Sequence, residues 1–327
     1  MIINQHRKFT PINILWVSVI SLFLCIGMFI NLPEDITPIL FEPAIHNLIG
    51  LEIGARLNPV SNITVTLILT LLQAFFLNRI ISRFIFLGKP NFLGALMFIT
   101  LVSLFPSFLV LSPPLICSFL AIWMLEKIFS IYKQADIKAL MFDLGMIVAL
   151  GSLIYFPFMS MILLVWFGLI IYRPFNWREW ASSILGFSTI YFLLGVVYFW
   201  LDRTPEFIKI FAPLSYAFPT ELSLNSYDYI VVIPIVITLL FFLFVLKDHF
   251  YKSIVHLRKS IQLLFFMILL TFGSFYLSDH ITINHFLLCI PAVSIYMAFY
   301  YTNSKSKWVY ETLYLITLIT IVYFQLV

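Results

Sequence analysis

Charged side chains are so scarce in this chain that the few standing close together mark where chemistry could occur. Glu34 and Asp35 form an acidic pair within Leu32-Pro33-Glu34-Asp35, with Glu52 farther along the same stretch. A carboxylate there can accept the proton of an attacking hydroxyl; no cofactor is expected, a divalent cation at the Glu34–Asp35 pair being the one alternative. Arg56, Arg203 and Lys209 stand apart from the other basic residues and are the candidates for binding a phosphate and offsetting charge on it as it leaves. The plainer alternatives are a wet helix end for the acids and local pairing with neighbouring acids for the bases. Asp279, His280 and His285 could shuttle a proton, but their spacing matches no zinc signature, and no metal centre is expected.

Arg173-Pro174-Phe175-Asn176-Trp177-Arg178-Glu179-Trp180 is the densest motif. Pro174 stops the preceding apolar run. Trp177 and Trp180 suit the headgroup belt and Arg178 an anionic lipid, so Arg173, Trp177, Arg178 and Trp180 read as an interfacial anchor or a partner-docking point. Lys247, Lys252, Arg258 and Lys259 form a further basic segment suited to anionic lipid. Cys25, Cys117 and Cys289 lie singly in apolar runs and read as packing residues.

The elements that must carry these residues are set by composition. The 327 residues are 62% hydrophobic and only 10% charged, against about 25% charged in a soluble domain. With a mean hydropathy of +1.04, the chain must use lipid as a solvent. The expected fold is all-α, a single integral membrane domain over 1–327 with about eleven helices, each run being judged against the roughly 20 residues that span hydrocarbon. They are placed near 12–31, 62–83, 91–110, 112–130, 141–156, 158–172, 182–201, 229–246, 261–278, 284–302 and 308–326. The run 12–31 is read as a permanent helix, since it is longer than a signal-peptide core and no cleavage site follows it.

With the N-terminus cytoplasmic and the C-terminus outside, all of the 19 Lys and Arg residues except Arg56, Arg203 and Lys209 fall on the inner side. Two outer loops are long, 32–61 and 202–227. The first has the pattern of an interfacial helix, with Glu42, His46, Glu52 and Arg56 sharing one arc. Pro106, Pro113 and Pro114 mark an outer turn, and Pro157 divides 141–172 into two short helices, which predicts an indentation near Pro157–Ser160.

The Arg173–Trp180 motif, its preceding apolar hairpin and the stretch from Leu72-Gln73 to Asn78-Arg79-Ile80-Ile81 resemble an uncharacterised polytopic inner-membrane family of Bacteroidota. That resemblance implies a bacterial inner-membrane location and no activity. The architecture is distantly similar to the membrane glycosyltransferase superfamily that uses polyprenyl-phosphate sugars. What this implies is a carboxylate of the first outer loop, here Glu34 or Asp35, as base or metal ligand. The expected function is therefore an enzyme-like protein acting on a polyprenyl-phosphate-linked substrate at the outer face, with membrane lipid as its surroundings. The alternatives are a subunit or scaffold docking envelope-complex proteins, and a transporter or flippase. The latter is opposed by the near absence of ionisable residues within the spans. Nothing in the sequence points to nucleic acid or nucleotide: there is no P-loop and no GxGxxG.

Overall fold

The computed structural model describes residues 2–7, 10–31, 58–132, 134–215, 226–250, 254–278 and 282–326. Among them there is no strand, and every expected apolar run carries a helix. In chain order these are α1 (Ile2–His6), α2 (Ile12–Ile30), α3 (Pro59–Arg83), α4 (Leu93–Val102), α5 (Pro113–Ser130), α6 (Lys138–Ile154) and α7 (Met161–Tyr172). They continue with α8 (Trp177–Trp200), α9 (Thr204–Lys209), α10 (Ser226–Phe250), α11 (Val255–Gly273), α12 (Ile290–Asn303) and α13 (Lys307–Leu326). Five helical segments among the described residues are long and apolar enough to cross a membrane: α2, α3, α5, α8 and Val255–Leu277, which is α11 with its short extension.

Three further apolar helices are too short to do so. Helices α4, α7 and α12 have 10, 12 and 14 residues, or about 15, 18 and 21 Å at 1.5 Å per residue. Each belongs to a hairpin whose tip is a single turn of 3₁₀ helix or a pair of them. The first hairpin, α4–α5, turns through Pro106–Leu109; the second, α6–α7, through Phe156–Ser160; the third, α11–α12, through Ser274–Leu277 and Ile283–Leu288. The prolines expected to turn the chain do so, and they also shorten the helices. The helix expected over 91–110 stops at Val102, and the one expected from 284 starts at Ile290, because the intervening residues are 3₁₀ turns.

The tips pack on one another. The second rests against Ser274–Leu277, and Ile283–Leu288 lies against the first tip and α5. The indentation expected near Pro157–Ser160 is therefore filled: the third hairpin covers it, and Phe156, Pro157 and Phe158 are buried. The centre of the molecule is the contact of α4 with α12. All ten residues of α4 are buried, as are Ile290 through Tyr301 of α12.

Helices broken inside an apolar interior leave backbone groups without helical partners. In the first hairpin, amide side chains meet them. Asn78 of α3 accepts from the Ala95 N–H at 3.3 Å, and Asn62 accepts from the Leu111 N–H at 2.8 Å. Gln325 of α13 donates to the Ser103 carbonyl at 3.2 Å, and Gln73 adds a second donor, at 2.8 Å, to the Leu115 carbonyl in the first turn of α5.

The most extensive helix contact is between α6 and α8. These run parallel, since Ser182 bonds to the Lys138 carbonyl near their starts and Tyr191 to Ser152 farther on. Glycines let the backbones touch. A Cβ on Gly186 would run into the Phe142 carbonyl, and one on Gly145 into the Ser183 carbonyl. Such small-residue seams suit helices that lack a hydrophobic drive to associate in lipid. Gly186→Ala should lower stability by about 1–3 kcal/mol, as overpacking does. Gly273→Ala, where a Cβ meets nothing within 4 Å, should change it little. Thermal unfolding of the two variants in detergent checks the contrast, and equal unfolding temperatures would refute the close contact.

Candidate functional site

The chemistry at the hairpin tips starts from an ordinary deficit. The Thr271 carbonyl lies in the last turn of α11, where helical partners run out. Two side chains answer it: Ser274 Oγ donates at 2.8 Å, and His285 Nε2 approaches at 2.8 Å. A carbonyl only accepts, and Ser274 Oγ, 2.9 Å from Nε2 with its own proton already on that carbonyl, can only accept there too, so Nε2 carries the ring proton. In the neutral ring, Nδ1 is then a bare lone pair, and Tyr155 places its hydroxyl 2.7 Å from it. The hydrogen bond therefore runs from the Tyr155 O–H to His285 Nδ1.

Each member is held by its element. His285 is fully buried, and the Phe275 ring is stacked on it at 4.0 Å between centroids. It sits in the turn Ile283–Leu288, whose backbone closes from the His285 N–H to the Thr282 carbonyl at 3.1 Å. Tyr155 is the first extended residue after α6, ahead of Pro157, which cannot continue a helix. Gly151 makes room beside it, because a Cβ there would collide with the Phe158 ring. The arrangement is a phenol donor, an imidazole acceptor and a carbonyl anchor. It is oriented for proton transfer in the same sense as a nucleophile–histidine–anchor triad.

Of the residues singled out in the sequence, Glu34, Asp35, Glu52 and Arg56 lie outside the described residues, as do Asp279 and His280. Arg203 immediately precedes α9 and Lys209 is its last residue, and both are exposed. Helix α9 folds back along α8: Phe207 packs on Tyr198 and Phe211 on Tyr191. The two cations thus share one element above an apolar seat, with Ile208 and Trp200 exposed beside them at 70% and 84%. His285 is brought to Tyr155, 130 residues away. Sequence reasoning missed Tyr155; the only signal was its place two residues before Pro157. Among the described residues no three His, Cys, Asp or Glu side chains form a group able to hold a metal ion.

The opposite end of the bundle gathers the basic residues. Arg7 donates to the Tyr301 and Ser304 carbonyls at the end of α12. Arg83 pairs with Glu126 at 2.7 Å and Lys127 with Asp143 at 2.8 Å. His6 is buried there with Nδ1 on the Ile2 carbonyl, and burial pushes its ring below the usual histidine range despite that bond. On the exposed turn before α6, the Lys138 N–H holds the Asp136 carboxylate below its usual range.

The Arg173–Trp180 motif divides in two. Arg173 donates to the Gln134 and Ala135 carbonyls at 2.7 and 3.1 Å and meets Glu179 at 3.4 Å. Asn176 caps α8 and donates to the same carboxylate at 3.2 Å, so Glu179 is buried but paired. Helix α8 therefore starts at Trp177 rather than at the expected 182. Trp180 packs at a tilt against Trp166 and Phe175. Trp177 and Arg178 face outward, with the guanidinium 5.9 Å from the indole centroid.

Comparison with protein-family models, curated proteins and solved structures finds no match to the chain.

Arg173→Ala should cost about 3 kcal/mol, because it strands the Glu179 carboxylate and removes the clip on residues 134–135. Arg178→Ala should cost under about 0.5 kcal/mol, as exposed substitutions do. Unfolding temperatures of the two variants check this; a destabilised Arg178→Ala with an intact Arg173→Ala would reverse the assignment.

Proposed function

We propose that this chain is a multi-pass protein of a bacterial inner membrane that acts on a polyprenyl-phosphate-linked substrate at the outer face. In this reading about eleven helices cross the membrane, the N-terminus is cytoplasmic and the C-terminus is outside. The observation that carries it is α9. An amphipathic turn folds back on α8 and displays Arg203 and Lys209 beside exposed Trp200 and Ile208, at the end opposite the clustered basic residues. Cations beside an aromatic belt are suited to a lipid phosphate at the interface. Glu34, Asp35 and Glu52 belong to the other long outer loop and are the proposed acids of the same face, with Arg56 as a third phosphate ligand. Glycosyl transfer is the reaction this set of groups would perform.

A second reading, a scaffold for an envelope complex, draws on a different surface. Phe175 and Trp177 are 79% and 65% exposed, while their neighbours in the motif serve the fold. Both suit a partner as well as they suit headgroups.

Native mass spectrometry of the full chain in nanodiscs separates these readings. A polyprenyl phosphate should be retained and the matching polyprenol should not. Arg203→Ala with Lys209→Ala should weaken retention by about tenfold, the loss of one or two charge-assisted contacts. Equal retention of phosphate and alcohol, or no effect of the double variant, would remove the lipid-phosphate reading. Co-purification of a partner that Trp177→Ala releases would favour the scaffold.

A further inference from the structure

The hydrogen bonds of five phenols show what each is for. Tyr172 meets the Ser260 hydroxyl, Tyr191 the Ser152 hydroxyl and Tyr314 the Thr100 hydroxyl, while Tyr296 donates to the Ile261 carbonyl. None of those four partners is a base. Tyr155 alone of the five is bonded to one, and to the lone pair of that base, because the Thr271 carbonyl takes the proton on Nε2. Tyr155 is also half-buried, while its histidine is sealed. The same two tips carry polar atoms without a partner inside the protein: Ser160 Oγ, five residues after Tyr155, and Asn284 Oδ1, next to His285.

We propose that Tyr155 is a catalytic residue, a phenol activated by His285 that takes the proton of an acceptor hydroxyl. As the acceptor O–H proton passes to the Tyr155 oxygen, the phenolic proton passes to His285 Nδ1. The resulting imidazolium keeps its Nε2–H on the Thr271 carbonyl. The acceptor oxygen forms a bond to the electrophilic carbon of the lipid-linked donor, and the bond from that carbon to the phosphate oxygen breaks, its electron pair leaving on the phosphate. The second half of this step rests on the lipid-linked reading above; the activation of the phenol does not. The acceptor is a hydroxyl-bearing molecule, and the Ser160 Oγ and Asn284 Oδ1 atoms of the same tips are the polar groups that would hydrogen-bond it.

The test is the reactivity of the phenol with an uncharged aryl sulfonyl fluoride, read by peptide mass spectrometry on the full chain in nanodiscs. The sulfonyl–oxygen bond forms, fluoride leaves, and the phenolic proton goes to His285. Tyr276 and Tyr323 are internal references, being 53% and 59% exposed. Tyr155 is expected to label about tenfold faster than either, a general-base acceleration of about a hundredfold offset by its lower exposure. His285→Gln keeps a donor for Thr271 and an acceptor for Tyr155 but is no base. It should bring Tyr155 down to the reference rate while Tyr276 is unchanged. Labelling of Tyr155 no faster than the references in the native protein overturns the proposal by itself, with no variant needed; a site closed to a small electrophile cannot serve a substrate. So does a rate that His285→Gln leaves unaltered. If the pair is reactive and polyprenyl phosphate is not retained, the activated phenol stands and the lipid-linked substrate falls.

Discussion

Backbone amides and carbonyls at helix ends have nowhere to turn for water inside an apolar bundle, and this molecule ends helices there repeatedly. Three hairpins turn through 3₁₀ segments instead of leaving the protein as full-length helices. Each break exposes N–H and C=O groups, and each group left unpaired at that depth would cost roughly 1–3 kcal/mol. The first hairpin is tolerable because three amide side chains answer its orphaned groups, Asn62 and Asn78 from α3 and Gln325 from the last helix, while Gln73 of α3 ties down the start of α5. Amides suit this work because one group both donates and accepts without carrying charge. That also accounts for polar residues on α3 facing the interior, a placement that hydropathy alone would not assign.

The same constraint produces the Tyr155–His285 pair. Had α11 continued, the Thr271 carbonyl would have had a helical donor, and an imidazole there would have had no fixed orientation. Because the helix stops, the carbonyl takes the Nε2 proton, and that choice fixes the lone pair on Nδ1. A repair to the backbone thereby sets the direction of a proton. The stacked Phe275 ring keeps the imidazole from rotating out of the arrangement. Function and stability are coupled at this point: the residue that would move a proton also finishes a helix.

Much of the helix layout was legible because charge and proline punctuate long apolar runs. Pro106, Pro113 and Pro157 turn the chain where the sequence expects it to turn. What they could not reveal is how much helix each turn consumes, since a 3₁₀ tip and an α-helical one are equally apolar. The Arg173–Trp180 motif was legible as an interfacial element, but its division was not. That Arg173 and Glu179 serve the fold while Trp177 and Arg178 face outward depends on where residues 134–135 pass. Arg203 and Lys209 could be named from their isolation among the basic residues; their display on a folded-back turn required Phe207 and Phe211 to find α8. Tyr155 and His285 lie in different hairpins, and a single sequence holds no signal that joins them.

Helix α4 is buried on every side, yet its principal cover, α12, belongs to a hairpin near the far end of the chain. During synthesis α4 leaves the ribosome long before α12 exists. With only ten residues, it has little apolar surface with which to hold a place in lipid by itself. Until the third hairpin arrives, its native neighbours are α1, α2 and α3, the last through Asn78, and the α12 position beside it stands open to whatever occupies it temporarily. Completion of the bundle is thus deferred to its last hairpin. A chain interrupted before α12 would leave one side of α4 uncovered, marking unfinished copies for membrane quality control.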